Sequence, residues 1–297
     1  MKGSDIPIHL ETRLSSEEMM TALTSRSFRY PHRLIAHRGG GLLAPENTLS
    51  AVQTGFELGF RAVEFDVMLT RDEQLILMHD IYPGRTIVDR NCHQLISEAY
   101  DYNDIISMDA GTWFAHHELA RSRRDFSGTT VGCFRTIADY CVHHRIWMNV
   151  EIKPRPGFEY RTGELTAKYV LHCIENGRIP FDSIPLLSSF SPTALEAAKL
   201  IAPSIPRALL ISGAIPNDIF ASLSSLEASA LHVDHNFITE EFIARFKSRT
   251  SLGLMCYTVN DIGTAEKLLA WGVDAICTDA LDDFRALIPL LDNHCIP

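Results

Sequence analysis

From residue 33 onward, short apolar runs alternate with segments long enough to be helices. The runs at 33–37, 61–67, 75–79, 146–152, 185–190, 207–211, 229–234, 252–259 and 273–278 read as strands. Helical periodicity follows several of them. Leu49, Val52, Phe56 and Leu58 form one apolar stripe over 48–59, with Asn47 as the expected N-cap. Pro192 suits the first turn of a helix over 192–201, and Asn260 or Asp261 is placed to cap 261–270. Strands alternating with helices imply parallel βα units, and eight such units close a barrel of about 250 residues.

Nine runs are one too many for eight units. The surplus falls at 61–79, where Thr70, Arg71, Asp72 and Glu73 separate two strands too closely for a helical crossover. An antiparallel hairpin about residue 72 puts His79 opposite Phe65, beside Glu64 and Asp66. Residues 80–133 break the rhythm and carry Tyr82, Tyr100, Tyr102, Trp113 and Phe114, which suggests an insertion packed over the barrel mouth. Residues 1–31 are polar and weakly periodic, an N-terminal extension with a short amphipathic helix starting near Ser15; the barrel is expected over 32–297.

Composition narrows the class without naming the chemistry. The chain has 297 residues, 46% hydrophobic and 22% charged, as in a water-soluble globular protein. A net charge of −10 argues against non-specific nucleic-acid binding and against a polybasic membrane patch. No apolar run is long enough for a transmembrane helix, and the N-terminus lacks the apolar stretch of a secretory signal. Seven cysteines, odd in number and without a CxxC pair, read as reduced core thiols of a cytoplasmic protein. Oligomeric state is not legible.

The chemistry gathers at the C-terminal ends of strands, where barrel enzymes place their reacting groups. His37 and Arg38 end the first run, Glu64 and Asp66 the second, and Glu151 and Lys153 the run at 146–152. Positions i and i+2 of a strand share a face, so Glu64 points with Asp66 and Glu151 with Lys153. Three carboxylates converging on one mouth need a cation, and they are hard oxygen ligands suited to Mg2+ or Ca2+. With no Cys-rich or HExxH cluster, zinc is disfavoured. Arg38 and Lys153 add positive charge beside that site, and His37 and His79 can accept and donate protons. Glu46 is placed to orient Arg38 or a substrate hydroxyl, and the glycines at 39–41 read as a turn whose amides approach phosphate. His93, His116, His117, His143 and His144 lack supporting partners in the sequence, and His143 and His144, before a strand, read as surface or helix-end residues. A lone histidine, a lone Glu-x-Asp or a lone Glu–Lys pair is more often structural; the set taken together is not readily explained that way.

Taken in order, these segments resemble the glycerophosphodiester phosphodiesterase family. The resemblance is carried by His37–Leu49, Glu64–Asp66, His79–Asp80, Asn149–Pro154, Leu186–Phe190, Tyr257–Asn260 and Trp271–Asp279, and it spans residues 33–280. It implies a (β/α)8 TIM barrel of the type shared with phosphoinositide-specific phospholipases C. It also implies His37 and His79 as the acid/base pair, Glu64, Asp66 and Glu151 as ligands of the divalent cation, and Arg38 and Lys153 as phosphate contacts. The implied reaction is hydrolysis of a small-molecule glycerophosphodiester, such as glycerophosphocholine or glycerophosphoethanolamine, to sn-glycerol 3-phosphate and an alcohol. Two segments depart from the family pattern. After Asp80 only Arg85 and Thr86 keep it, and Val131–Ala138 differs as well, while Met108–Trp113 matches. Alcohol preference therefore stays open. Two other readings are a lysophospholipase D or sphingomyelinase-like enzyme of the same superfamily, which needs an acyl groove, and a non-catalytic phosphodiester-binding barrel.

Overall fold

A computed structural model describes residues 28–87 and 93–292. The helix expected near Ser15, Cys92 and Cys295 lie outside the described residues. Ten strands run in chain order: β1 (Leu34–Ala36), β2 (Ala62–Leu69), β3 (Leu75–Leu77), β4 (Gly132–Cys133), β5 (Trp147–Ile152), β6 (Leu186–Ser189), β7 (Arg207–Ile211), β8 (Ala230–Asp234), β9 (Gly253–Tyr257) and β10 (Ala275–Thr278). Eight of them pair in parallel in the order β1-β2-β5-β6-β7-β8-β9-β10, and β10 closes back on β1 with Leu34 opposite Ile276. Helices between the strands complete a (β/α)8 barrel.

The surplus strand is β3, as the close spacing at 70–73 requires. It pairs antiparallel with β2 in the expected register, Val67 opposite Leu77 and Leu69 opposite Leu75, and the Met78 N–H donates to the Asp66 carbonyl. The two-residue β4, too short to leave a periodic signal, adds a third strand to this ribbon. Between β3 and β4 lie two short helices, α2 (Ile96–Ala99) and α3 (Tyr102–Ile105), and a 3-10 turn at Thr112–His116. Ile87, Ile96, Ile105 and Val131 seat this insertion on Met68 and Ile76 of the ribbon, and Phe114 and Phe126 pack on Ala44 and Ala51 beside the mouth.

Strand alternation sets the two faces. On β2, Val63, Phe65 and Val67 face the helical layer with Phe134 and Val170, whereas Ala62 joins the interior, so Glu64 and Asp66 point inward above it. The barrel floor is narrow because Ala62, Ala208, Ala230 and Ala275 are small; Trp147, Met255 and Tyr30 fill it. Outside, α5 (Glu159–Glu175) and α6 (Pro192–Ile201) touch backbone to backbone at Gly163, where a Cβ would sit 2.1 Å from the Ala194 carbonyl oxygen.

Capping follows side-chain reach. Helix α1 (Leu49–Glu57) is capped by Thr48, whose hydroxyl accepts the Ala51 N–H, and not by Asn47 as the sequence suggested. Either residue type can cap, but Asn47 sits at φ +58° and its side chain turns toward Asp66. Pro192 does occupy the first turn of α6, and Asp261, not Asn260, caps the helix Ile262–Trp271. His143 ends the helix Phe134–His143, as expected of a helix-end residue. Every described cysteine is a free thiol, and all but Cys133 are buried. No described helix is long and apolar enough to cross a membrane.

Candidate active site

The β1 end turns sharply into the mouth. Arg38 (φ +49°) and Gly39 (φ +90°) are left-handed, and Gly41 (φ +52°) must be glycine because a Cβ there would lie 2.2 Å from the Asp279 carbonyl oxygen. Within this turn the Gly39 and Gly41 amides donate to the carbonyls of Ala36 and His37. The turn delivers His37 and Arg38 to opposite tasks. His37 Nδ1 lies 2.6 Å from Asp279 Oδ1, which leaves Nε2 toward Glu64, 3.8 Å from its Oε2. The Arg38 backbone N–H donates to Glu64 Oε2 at 3.0 Å, while its guanidinium donates to Glu46 at 2.7 Å and lies 3.5 Å from Asp66.

Glu64, Asp66 and Glu151 are all buried, and one oxygen of each lies within 4.8 Å of the others. Lys153 borders them, its Nζ 3.0 Å from Glu151 and 3.4 Å from Asp66, with the Phe190 ring 5.6 Å away. Glu64 Oε1 and Asn149 Oδ1 are buried without a protein partner. Burial, reinforced by Asp66, pushes Glu64 up to about 8 and raises Glu151 as well. Burial would raise Asp66 too, but Arg38 and Lys153 hold it well below the usual carboxylate range. Burial opposes protonation of His37, yet the Asp279 carboxylate outweighs it and raises that histidine above its ordinary value. Such crowding of buried negative charge is costly without a cation, and the donor set of carboxylate and amide oxygens fits a hard divalent ion.

His79 follows the ribbon edge one residue beyond Met78, where the observed register extrapolates to Phe65. Its Nδ1 pairs with Asp80 Oδ1 at 2.7 Å, and its ring stands close enough to Asp66 and Glu151 to favour their carboxylate forms. The structure thus brings His37, Arg38, Glu46, Glu64, Asp66, His79, Glu151 and Lys153 to one end of the barrel. Three partners escaped the sequence reading. Asn47 clasps Asp66 instead of capping a helix, Asp279 braces His37 from the far end of the chain, and Arg85 ties Glu46 to Asp80. For Asp279 the available signal was its place at the end of the last strand run, beside the first.

Residues 37–283 match the sequence model of the glycerophosphoryl diester phosphodiesterase family. The chain belongs to that family. A glycerophosphodiester phosphodiesterase of Caldanaerobacter subterraneus subsp. tengcongensis is 27% identical over 250 residues, covering 83% of this chain and 93% of its own. One from Bacillus subtilis is 25% identical over 271 residues, 90% of each chain. Among solved structures, a phosphodiesterase of Oleispira antarctica in complex with the product sn-glycerol 3-phosphate superposes with a TM-score of 0.74 at 28% identity, covering 86% of this chain and 96% of that one. Family, relatives and fold agree on an enzyme of the glycerophosphodiester phosphodiesterase class.

Proposed function

We propose that the protein hydrolyses glycerophosphodiesters such as glycerophosphocholine and glycerophosphoethanolamine, releasing sn-glycerol 3-phosphate and the alcohol. The observation that carries this reading is the arrangement of two carboxylate-braced histidines and two cations around the buried triad of Glu64, Asp66 and Glu151. The triad would hold Mg2+ or Ca2+. When bound, such an ion neutralises charge on a phosphate oxygen and makes a neighbouring hydroxyl more acidic.

The chain's own groups do the rest. Arg38 and Lys153 balance the charge that builds on the phosphate oxygens as the bond to the alcohol breaks. Each histidine is held at Nδ1 by a carboxylate, so proton traffic belongs to Nε2. One imidazole takes the proton of the attacking group, either water or the neighbouring glycerol hydroxyl, and the other gives a proton to the departing alkoxide; if the glycerol hydroxyl attacks, water then opens the cyclic phosphate to give glycerol 3-phosphate. Glu46 keeps the Arg38 guanidinium in place.

The test is release of glycerol 3-phosphate from glycerophosphocholine by purified protein, with Mg2+ or Ca2+ and with EDTA. Metal-dependent release that His79→Ala abolishes supports the reading. Turnover of lysophosphatidylcholine but of no glycerophosphodiester would replace it with a lysophospholipase D assignment. Phosphodiester binding without any turnover would point to a binding barrel.

A further inference from the structure

Arg85 sits outside the acidic triad, in the irregular stretch after Asp80, yet its guanidinium joins the two sides of the site. Nε donates to Asp80 Oδ2 at 2.7 Å, and Nη1 and Nη2 donate to the two oxygens of Glu46 at 2.5 and 2.7 Å. Each carboxylate then serves a second group. The free oxygen of Asp80, Oδ1, holds His79 Nδ1 at 2.7 Å, and Glu46 Oε1 also accepts from Arg38 at 2.7 Å. The chain His79–Asp80–Arg85–Glu46–Arg38 is therefore continuous, from the proton carrier to the phosphate-binding guanidinium.

We infer that Arg85 is a positioning residue that fixes His79 and Arg38 relative to one another. The inference rests on the reading above, in which His79 moves a proton and Arg38 meets phosphate. Isolated surface ion pairs contribute little, but this guanidinium engages two carboxylates at once, and their side chains are only 12% and 26% exposed. At Asp80 it takes Oδ2 and leaves Oδ1 for the histidine; at Glu46 it engages both oxygens, shares Oε1 with Arg38 and so fixes the plane of that carboxylate. Removing it leaves two negative groups facing each other, free to turn toward His79 and Arg38 in other geometries. The backbone on either side is suited to hold it. Thr86 and Ile87 are buried, the Gly84 N–H bonds the Ile87 carbonyl, and the Trp113 ring lies 5.6 Å from the guanidinium carbon. Lysine offers a single ammonium and cannot make the bidentate contact to Glu46 together with the bond to Asp80.

The experiment uses the full chain with Mg2+ or Ca2+. On glycerophosphocholine, Arg85→Ala is expected to lower kcat about 100-fold through His79 and to raise KM several-fold through Arg38. Asp80→Asn should reproduce mainly the kcat loss and Glu46→Gln mainly the KM rise, with Arg85→Ala adding little to the double variant of those two. Arg85→Lys should restore one parameter and not both. Full additivity of Arg85→Ala with the other two, or kinetics within about twofold of wild type, would overturn the inference. A readout independent of turnover is the 15N spectrum of the His79 imidazole. Arg85→Ala should shift its Nδ1 resonance, and Arg85→Lys, which preserves the charge, covers the case in which the alanine variant does not fold. An unshifted His79 resonance in a folded variant overturns the positioning role. A wild type that turns over no glycerophosphodiester would refute the functional reading while the spectra still decide this one.

Discussion

Asn47 grips Asp66 at both ends of one residue: its Nδ2 donates to Asp66 Oδ2 at 2.8 Å and its Oδ1 accepts the Asp66 backbone N–H at 3.0 Å. The grip fixes the carboxylate's rotation within the triad. It also explains the left-handed backbone of Asn47, a conformation that asparagine tolerates better than most residues.

Asn47→Ala should therefore cost on the order of 2–4 kcal/mol, from a lost charge-assisted bond, an unsatisfied buried N–H and a strained φ. Urea unfolding measures it. Asn47→Gly removes the strain alone and should recover about 1 kcal/mol of that loss. Both variants should weaken Mg2+ or Ca2+ binding by about 10–100-fold, as loss of a group that orients a ligand does. Unchanged metal affinity in a folded variant would show that Asp66 needs no such support.

Asp279 stands to His37 as Asn47 stands to Asp66. Burial would raise its carboxyl, but His37 holds it below the ordinary value, so it remains a carboxylate facing the imidazole. Its own backbone N–H is held by Asn260 Oδ1 at 2.8 Å, which orients the loop. Asp279→Asn keeps the shape but changes which imidazole nitrogen is favoured to carry the proton. We expect kcat to fall about 100-fold with KM nearly constant. Steady-state kinetics decide it: a rise in KM at constant kcat would place Asp279 in substrate binding instead.

These partners mark where sequence reading stopped. The barrel was legible because each strand leaves an apolar run and each helix a stripe, and the hairpin because 70–73 is too short for a crossover. His37, Glu64, Asp66 and Glu151 were legible because strand ends are where a barrel collects its chemistry. Asn47 was misassigned because a cap signal is local and Thr48, one residue on, satisfies it equally well. Asp279 lies 242 positions from His37, and only closure of β10 on β1 makes them neighbours. Arg85 stood out only as a retained residue in a divergent stretch, since nothing local reveals that one guanidinium will span two carboxylates. Strand β4 was invisible at two residues.

Chelator-treated protein should lose stability as pH rises. Glu64, pushed up to about 8 by burial and Asp66, binds its proton more tightly folded than unfolded. Its contribution is full below the unfolded value near 4.5 and is lost as pH climbs through 8; His37, also raised, acts with the same sign. Asp66 works oppositely, losing stability only in strong acid, so the windows separate. The expected loss between pH 6.5 and 8 is about 2 kcal/mol. Saturating Mg2+ or Ca2+ should reverse it, adding about 2.7 kcal/mol at 100 times the dissociation constant. Glu64→Gln should flatten the metal-free profile and remove most of the metal's effect. A metal-free protein equally stable at pH 6.5 and 8 would contradict the charge crowding inferred for the triad.

The acid limb belongs to the barrel floor. His232, fully buried on β8, meets the Tyr30 hydroxyl at 2.8 Å through Nε2, while its Nδ1 has no partner. Burial lowers this histidine to about 3, so it stays neutral in the fold but gains a proton when the chain unfolds. Its contribution is complete above the unfolded value near 6.5 and drains away as pH falls toward 3, at about 1.4 kcal/mol per pH unit. Subtracting the profile of His232→Gln from that of wild type isolates this slope, because Glu64, His37 and Asp66 titrate alike in both proteins. The difference should grow against wild type from pH 6.5 downward. Tyr30→Phe should lower stability by about 1 kcal/mol at every pH without changing the slope, since it removes the bond and leaves the buried imidazole. If Tyr30→Phe and His232→Gln flatten the acid limb equally, the limb reflects the hydrogen bond and not the buried histidine's proton.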